Sequence, residues 1–357
     1  MKRRVRKIMA SSSRGFSLVE SLLALAMGLL LMASVMELFR QAINVNTKVA
    51  QRSEMQQNVL AALNMMSQDL SMAATGFPQG GLQLPYGTGT SARFCVGTDN
   101  VQHLSRPALR DWLFVITPGD GLVLVDGVST DVVTLVYRDP TIPLDMSPLA
   151  SISNDGTSIT LSSNGEYQTA LNAAGNVPVQ PGDVLVLYNA KGYASAVVTS
   201  ASGNSINMES GVDPLQFNQT AAAVGNIQAL KNFPATTPAY MASTAAFRIQ
   251  IITYYIDNST NRLMRQVNCS APVPVAENIT NLQFTFDIFR EGVGGGATAE
   301  LPTFDFAQGQ SPNQIRKVNI TVAFASSEEE ITSGKKNFTT LKTSVSVRNL
   351  AFRDRYV

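Results

Sequence analysis

From Leu29 to Thr75 the chain contains neither glycine nor proline, so no residue in that stretch interrupts a helical hydrogen-bond ladder. The stretch begins inside an apolar run, Phe16 to Met36, whose helical rise spans roughly 30 Å, the thickness of a bilayer's hydrocarbon core. Beyond Met36 the apolar residues Phe39, Ile43, Val49, Leu60, Leu63, Met66 and Leu70 fall mostly three, four or seven apart, with Arg40, Lys48, Arg52, Glu54 and Asp69 among the polar positions. One helix from about Phe16 to about Ala74, near 90 Å long, is the direct reading. Its first half is apolar all round and its second half should pack one stripe against a domain. Gly76 followed by Pro78 supplies the stop.

Ahead of the run, residues 1–14 carry Lys2, Arg3, Arg4, Arg6, Lys7 and Arg14 and no acid. The positive-inside rule leaves that leader in the cytoplasm and sends the rest outward. A cleaved secretory signal ending near Ala33-Ser34-Val35 is the ordinary alternative. Two features oppose it. Glu20 sits within the apolar run, where an ionisable group at mid-bilayer costs about 2.5–3.5 kcal/mol and marks function by default. The helical pattern also continues past the point where a membrane would end. Over the whole chain the net charge is +1, so no global field points to nucleic acid.

Gly15-Phe16-Ser17-Leu18-Val19-Glu20 ahead of such a helix resembles the class III signal of type IV pilins and of type II secretion pseudopilins. The resemblance implies that a prepilin peptidase cuts after Gly15 and that the new amino group of Phe16 is methylated. It also implies that Glu20 faces the terminal amine of a neighbouring subunit. An ammonium and a carboxylate are each costly in a low-dielectric bundle, and their pairing offsets that cost and sets the stagger. The other reading of Glu20 is a tolerated polar residue snorkelling near the helix end. The chain departs from the major-pilin pattern at Glu37, where those subunits commonly carry proline.

Cys95 and Cys269 are the only cysteines and fall on the exported side, where oxidation is allowed. They form one long-range disulfide or remain two free thiols, one or both buried. Neither has a histidine or second cysteine at metal-ligand spacing, and His103 is the sole histidine. No metal, cofactor or enzymatic site is expected.

The remainder is rich in short runs dense in β-branched and aromatic residues, bounded by turn formers. These are Trp112–Thr117, Asp131–Arg138, Asp183–Tyr188, Ala246–Asp257 with a hairpin partner Arg262–Val267, Asn281–Ile288, Lys317–Phe324 and Leu341–Phe352. In Asn281–Ile288 strict alternation turns Leu282, Phe284, Phe286 and Ile288 to the core. Pro78–Arg106, Gly292–Ala297 and the acidic Glu328-Glu329-Glu330 read as loops. Insertions around 140–181 and 203–245, rich in Ala, Ser, Thr, Asn and Gly, read as surface decoration with short strands.

Several stretches are similar, as an ordered set, to patches of the PilW family of minor pilins. They are Asp131–Tyr137, Gly182–Val186, Tyr254–Ile256 with Leu263–Arg265, Val275–Gln283 and Val345–Leu350. The resemblance implies an α+β, type IV pilin-like fold: a leader over 1–15, a pilin helix over 16–75 with 16–36 transmembrane, and a β-rich domain over 76–357. It implies a structural subunit that primes a type IV pilus and sits at or near its tip. The partners would be other minor pilins, the major pilin, the prepilin peptidase, the inner-membrane assembly platform and, before assembly, lipid. Location would be the bacterial inner membrane, then periplasm and surface filament. The related J-type pseudopilin of type II secretion, and an adhesin carried on a pilin-like stalk, are the alternatives.

Overall fold

The structure, a computed structural model, describes residues 16–78, 80–85, 92–97, 99–101, 112–142, 144–163, 165–174, 178–219, 225–231, 244–289, 298–302, 310–326 and 336–350. Gly15, His103, Gly294–Gly296 and Glu328–Glu330 lie outside the described residues. The architecture is α+β: one long N-terminal apolar helix and antiparallel sheets.

The helix, α1, runs unbroken over Leu18–Met72, roughly 80 Å at 1.5 Å per residue. Its end differs from expectation. The first left-handed residue is Ala74, with φ of 68°, and Gly76 follows at 62°. A left-handed alanine costs about 1–2 kcal/mol, and here its N–H donates to Val136 O at 3.1 Å. Gly76 is needed for a second reason: a Cβ there would lie 2.8 Å from Cδ of Arg138.

The body contains two larger sheets. The first uses β1 (Ile116–Val125), β2 (Val128–Asp139), β3 (Val184–Asn189), β4 (Gly192–Val197), β5 (Ala245–Asp257), β6 (Arg262–Val267) and β7 (Val273–Ala276). β5 is its spine. Arg248–Tyr254 pair with β2 on one edge, while the other edge is shared, Ala245–Ile249 with β3 and Ile252–Asp257 with β6. The second sheet is ordered β9-β8-β10-β11, from β8 (Ile279–Phe289), β9 (Thr298–Leu301), β10 (Ile315–Ala325) and β11 (Phe338–Ser346).

The alternation in β8 places its four apolar side chains in the core, with Leu282, Phe284, Phe286 and Ile288 opposite Val322, Ile320, Val318 and Ile315 of β10. This core lies against the last turns of α1 and the inner face of the first sheet. Asp131 of β2 ties the sheets together, accepting from the backbone N–H groups of Phe284 (2.7 Å) and Gly121 (2.9 Å). Burial pushes its carboxyl above the usual carboxylate range, against the pull of those two hydrogen bonds.

Three local expectations change. Trp112–Leu113 pairs with Leu82–Gln83 as a separate short strand, and β1 starts only at Ile116. The last strand runs Phe338–Ser346, and a 3-10 turn over Arg348–Leu350 follows it in place of the expected strand to Phe352. The insertions are more than decoration. Leu149–Ile152, Ser158–Leu161, Ser200–Ser202 and Ser205–Asn207 form a four-stranded sheet, joined by α2 (Glu166–Ala174). They enclose a second core around Leu144, Ile159, Leu161, Tyr167 and Ile206, closed by Leu185, Leu187 and Ala246 from β3 and β5. Strands of three or four residues with one or two apolar side chains leave little periodicity to read. At the joint between the cores, Arg248 spans Asp139 (2.6 Å) and Asp183 (3.2 Å).

Candidate functional site

The two halves of α1 stand in opposite environments. From Phe16 to Glu54 the helix touches nothing that buries it: every residue is exposed except Asn44 and Gln51, which are half-buried. Phe16 is 85% exposed and the apolar window within the helix has a mean hydropathy of 2.2 with none of it buried. By length and composition this helix can cross a membrane. Each side chain of Leu or Phe size left in water forgoes ~1.5–3 kcal/mol. A contiguous apolar surface of this extent exceeds what monomeric soluble proteins leave bare.

Packing against the body begins at Met55 and is complete from Val59 on. Val59, Ala62, Leu63, Met66 and Leu70 are buried, a stripe at three- and four-residue spacing. The expected stripe therefore shortens. Phe39, Ile43 and Val49 remain exposed, Phe39 at 64%, because the body reaches only the final turns, and Leu60, 49% exposed, lies on the outward side of the packed stretch.

Asp69, one of the polar positions of the pattern, is buried. Its carboxylate accepts from Tyr254 Oη at 2.6 Å and Arg265 Nε at 2.8 Å, with Arg265 Nη2 at 3.4 Å from the other oxygen. Burial and the hydrogen bond to Asp69 push the Tyr254 hydroxyl far up. Burial alone would lower the Arg265 guanidinium, and the hydrogen bonds and charge of Asp69 reverse that. Asn349 Nδ2 donates to Ala73 O (3.0 Å) and Thr75 Oγ1 (2.8 Å), and Arg138 N donates to Thr75 O (2.9 Å). The helix end is thus joined to both sheets through side chains and backbone, while the other end is bare.

At that bare end Ser17 and Glu20 form a reciprocal capping box. Glu20 N donates to Ser17 Oγ at 3.2 Å and Ser17 N donates to Glu20 Oε2 at 3.1 Å, satisfying two amides that have no partner inside the helix. The sequence allows two roles for Glu20, intersubunit pairing and snorkelling. The capping box is a third, and its signal, Ser followed three residues later by Glu, was present in the sequence.

Cys95 and Cys269 are joined in a disulfide with Cα atoms 5.2 Å apart. The bond fastens the short strand Phe94–Val96 to the turn after β6, where Asn268 and Cys269 are both left-handed at 48° and 61°. Gln266 reinforces the junction, accepting from Gly97 N (3.0 Å) and donating to Gly97 O (3.3 Å). Near this junction a groove of about 560 Å³ opens, lined by Val96, Leu122, Leu124, Tyr255, Asp257 and Met264 among others. The Asp257 carboxylate is already occupied by its own turn, accepting from Ser259 and Thr260. Among the described residues no group of three or more His, Cys, Asp or Glu is placed to hold a metal ion.

No protein-family model, curated protein or solved structure matches this chain.

Proposed function

We propose that the protein is a structural subunit of a type IV pilus-like filament, a minor pilin of the PilW kind that its sequence resembles, acting with other minor pilins to prime assembly at the filament tip. The observation that carries this reading is the division of α1 into a bare apolar half and a half fastened to a folded body. A body fastened so rigidly moves wherever the helix is drawn. The bare half suits first a bilayer and then a bundle of like helices, exchanging lipid contact for helix contact at little net cost in apolar burial.

In this reading a prepilin peptidase removes residues 1–15 and the amino group of Phe16 is methylated. Glu20 then has two successive partners. In the lone subunit it completes the capping box with Ser17. In the filament its carboxylate turns to a neighbour's terminal ammonium, and the strength of that pairing in low dielectric selects one stagger. The assembly platform of the inner membrane draws the complex outward, with the body first in the periplasm and then on the filament.

The test is the mature N-terminus of protein recovered from a native envelope, read by mass spectrometry. Methylated Phe16 is the expected first residue. A chain beginning near residue 35 would show an ordinary secreted protein and overturn the proposal.

A further inference from the structure

The edges of the two larger sheets are not alike. β4 is covered: Val197 N donates to Asn218 Oδ1 and Asn218 Nδ2 donates to Val197 O, at 2.8 and 2.7 Å. β7 is four residues long and contains Pro274, with a register shift in its pairing to β6. The pairing of β1 breaks between Gly119 and Val123. β9 is four residues long. These are the usual ways of making an edge unfit for further pairing.

β11 has none of them. Its nine residues pair with β10 in one register without a shift, from Phe338 opposite Ala325 to Ser346 opposite Lys317. At the two ends of this ladder Ser326 N donates to Asn337 O and Val347 N donates to Arg316 O, each at 2.9 Å. Alternation in an antiparallel pair then turns the backbone of the odd-numbered residues 337–347 toward β10. The N–H and C=O groups of Phe338, Thr340, Lys342, Ser344 and Ser346 point away from it. Among the described residues no strand pairs with that side. The even-numbered side chains are exposed, whereas Leu341 and Val345 pack on the core.

The charges along this edge are of one sign. Lys342 lies within the strand, and Lys336 and Arg348 flank its two ends, Arg348 in the 3-10 turn that follows; all three are exposed. Residues 336–350 contain no acid. On the adjoining strand Lys317 is already paired with Asp287 at 3.4 Å.

We propose that the outer edge of β11 is a docking site for an extended, acidic segment of a different protein, which adds to the sheet as a further antiparallel strand. Backbone groups of Phe338 to Ser346 supply the binding, and Lys342 within the strand, with Lys336 and Arg348 at its ends, selects an acidic segment. A second copy of this chain is the wrong occupant. Antiparallel pairing about Lys342 would set Lys342 against Lys342, and residues 336–350 offer no acid to any of the three cations. The inference rests on the edge geometry and is independent of the filament reading.

The test uses the full chain in detergent micelles and a peptide of alternating threonine and valine with a central glutamate and one near each end, compared with the same peptide carrying lysines instead. The glutamate peptide should slow amide exchange at Thr340, Lys342 and Ser344. Its binding should weaken about tenfold in Lys342→Glu and in Thr340→Pro, a change of about 1.4 kcal/mol. The Thr340 N–H faces away from β10, so proline there removes no hydrogen bond of the native ladder, and unchanged thermal melting of both variants serves as the fold check. Unchanged exchange with the glutamate peptide, equal binding of the lysine peptide, or full affinity in both variants overturns the proposal. So does a dimer of the chain alone with those amides protected.

Discussion

The bare and fastened halves of α1 are one continuous helix of the same handedness and pitch, yet they solve opposite problems. From Met55 to Ala73 the helix is amphipathic and its stripe of Val59, Leu63, Met66 and Leu70 is covered by the body. From Phe16 to Glu54 the large apolar side chains are left uncovered, so the surface is complete only in another solvent or beside another chain. The fastened half is therefore governed by packing and the bare half by partition. Substitutions in the two halves should fail in different assays.

The largest separation is expected at Asp69. Asp69→Ala strands the half-buried Arg265 guanidinium without its carboxylate, and breaking such a pair costs about 3–5 kcal/mol. Thermal melting of the full chain in micelles, followed by the near-ultraviolet signal of the single tryptophan, Trp112, measures it. Asp69→Leu combined with Arg265→Met should recover much of the loss, since an apolar pair needs no desolvation. If the double variant melts as low as the single one, the joint depends on charge and not on packing.

Next is a matched pair of truncations. Met66→Ala in the fastened half should lower the body's stability by about 2–5 kcal/mol. Leu30→Ala in the bare half should leave melting within about 0.5 kcal/mol and weaken only membrane retention. Equal melting losses at both positions would erase the distinction between the halves.

The smallest structural effect, and the most informative for function, belongs to Glu20→Gln. Glutamine serves the capping box as glutamate does, so helix content, processing and melting should be unchanged within a few tenths of a kcal/mol. On the proposed function, assembly into filaments should nevertheless fail, because the charge assigned there to a neighbour's amine is gone. Normal filaments from this variant would leave Glu20 with capping alone. Failure in Glu20→Ala but not in Glu20→Gln would point the same way.

Legibility in the sequence follows how local each cause is. Helix continuity needs only the absence of Gly and Pro after Leu29, and the inward set of β8 needs only alternation; both stand in the structure as read. The extent of the helix stripe is not legible, because periodicity names a face without saying how far a covering domain reaches. The burial of Asp69 is illegible for a related reason. A lone acid in a helix looks like a solvent position until Tyr254 and Arg265, nearly two hundred residues later, are brought beside it. The second core leaves little trace in the sequence because its strands are three or four residues long. Its hydrophobic residues cohere only across segments far apart in the chain. The open edge of β11 had no signal at all, since which strand lies outermost is a property of the sheet.

The sequence by itself determined the elements whose causes lie within a few residues of one another: the long helix, its apolar first half, the Ser17–Glu20 cap and the alternating strands. Only the tertiary structure decided that Asp69 is a buried joint, that Cys95 meets Cys269 across a separation of 174 residues, that the insertions share a core, and that the bare helix ends at Glu54. Local backbone and side-chain energetics act along the chain and can be read there. Burial and pairing depend on which distant residues arrive as neighbours, and no single segment of the chain records that.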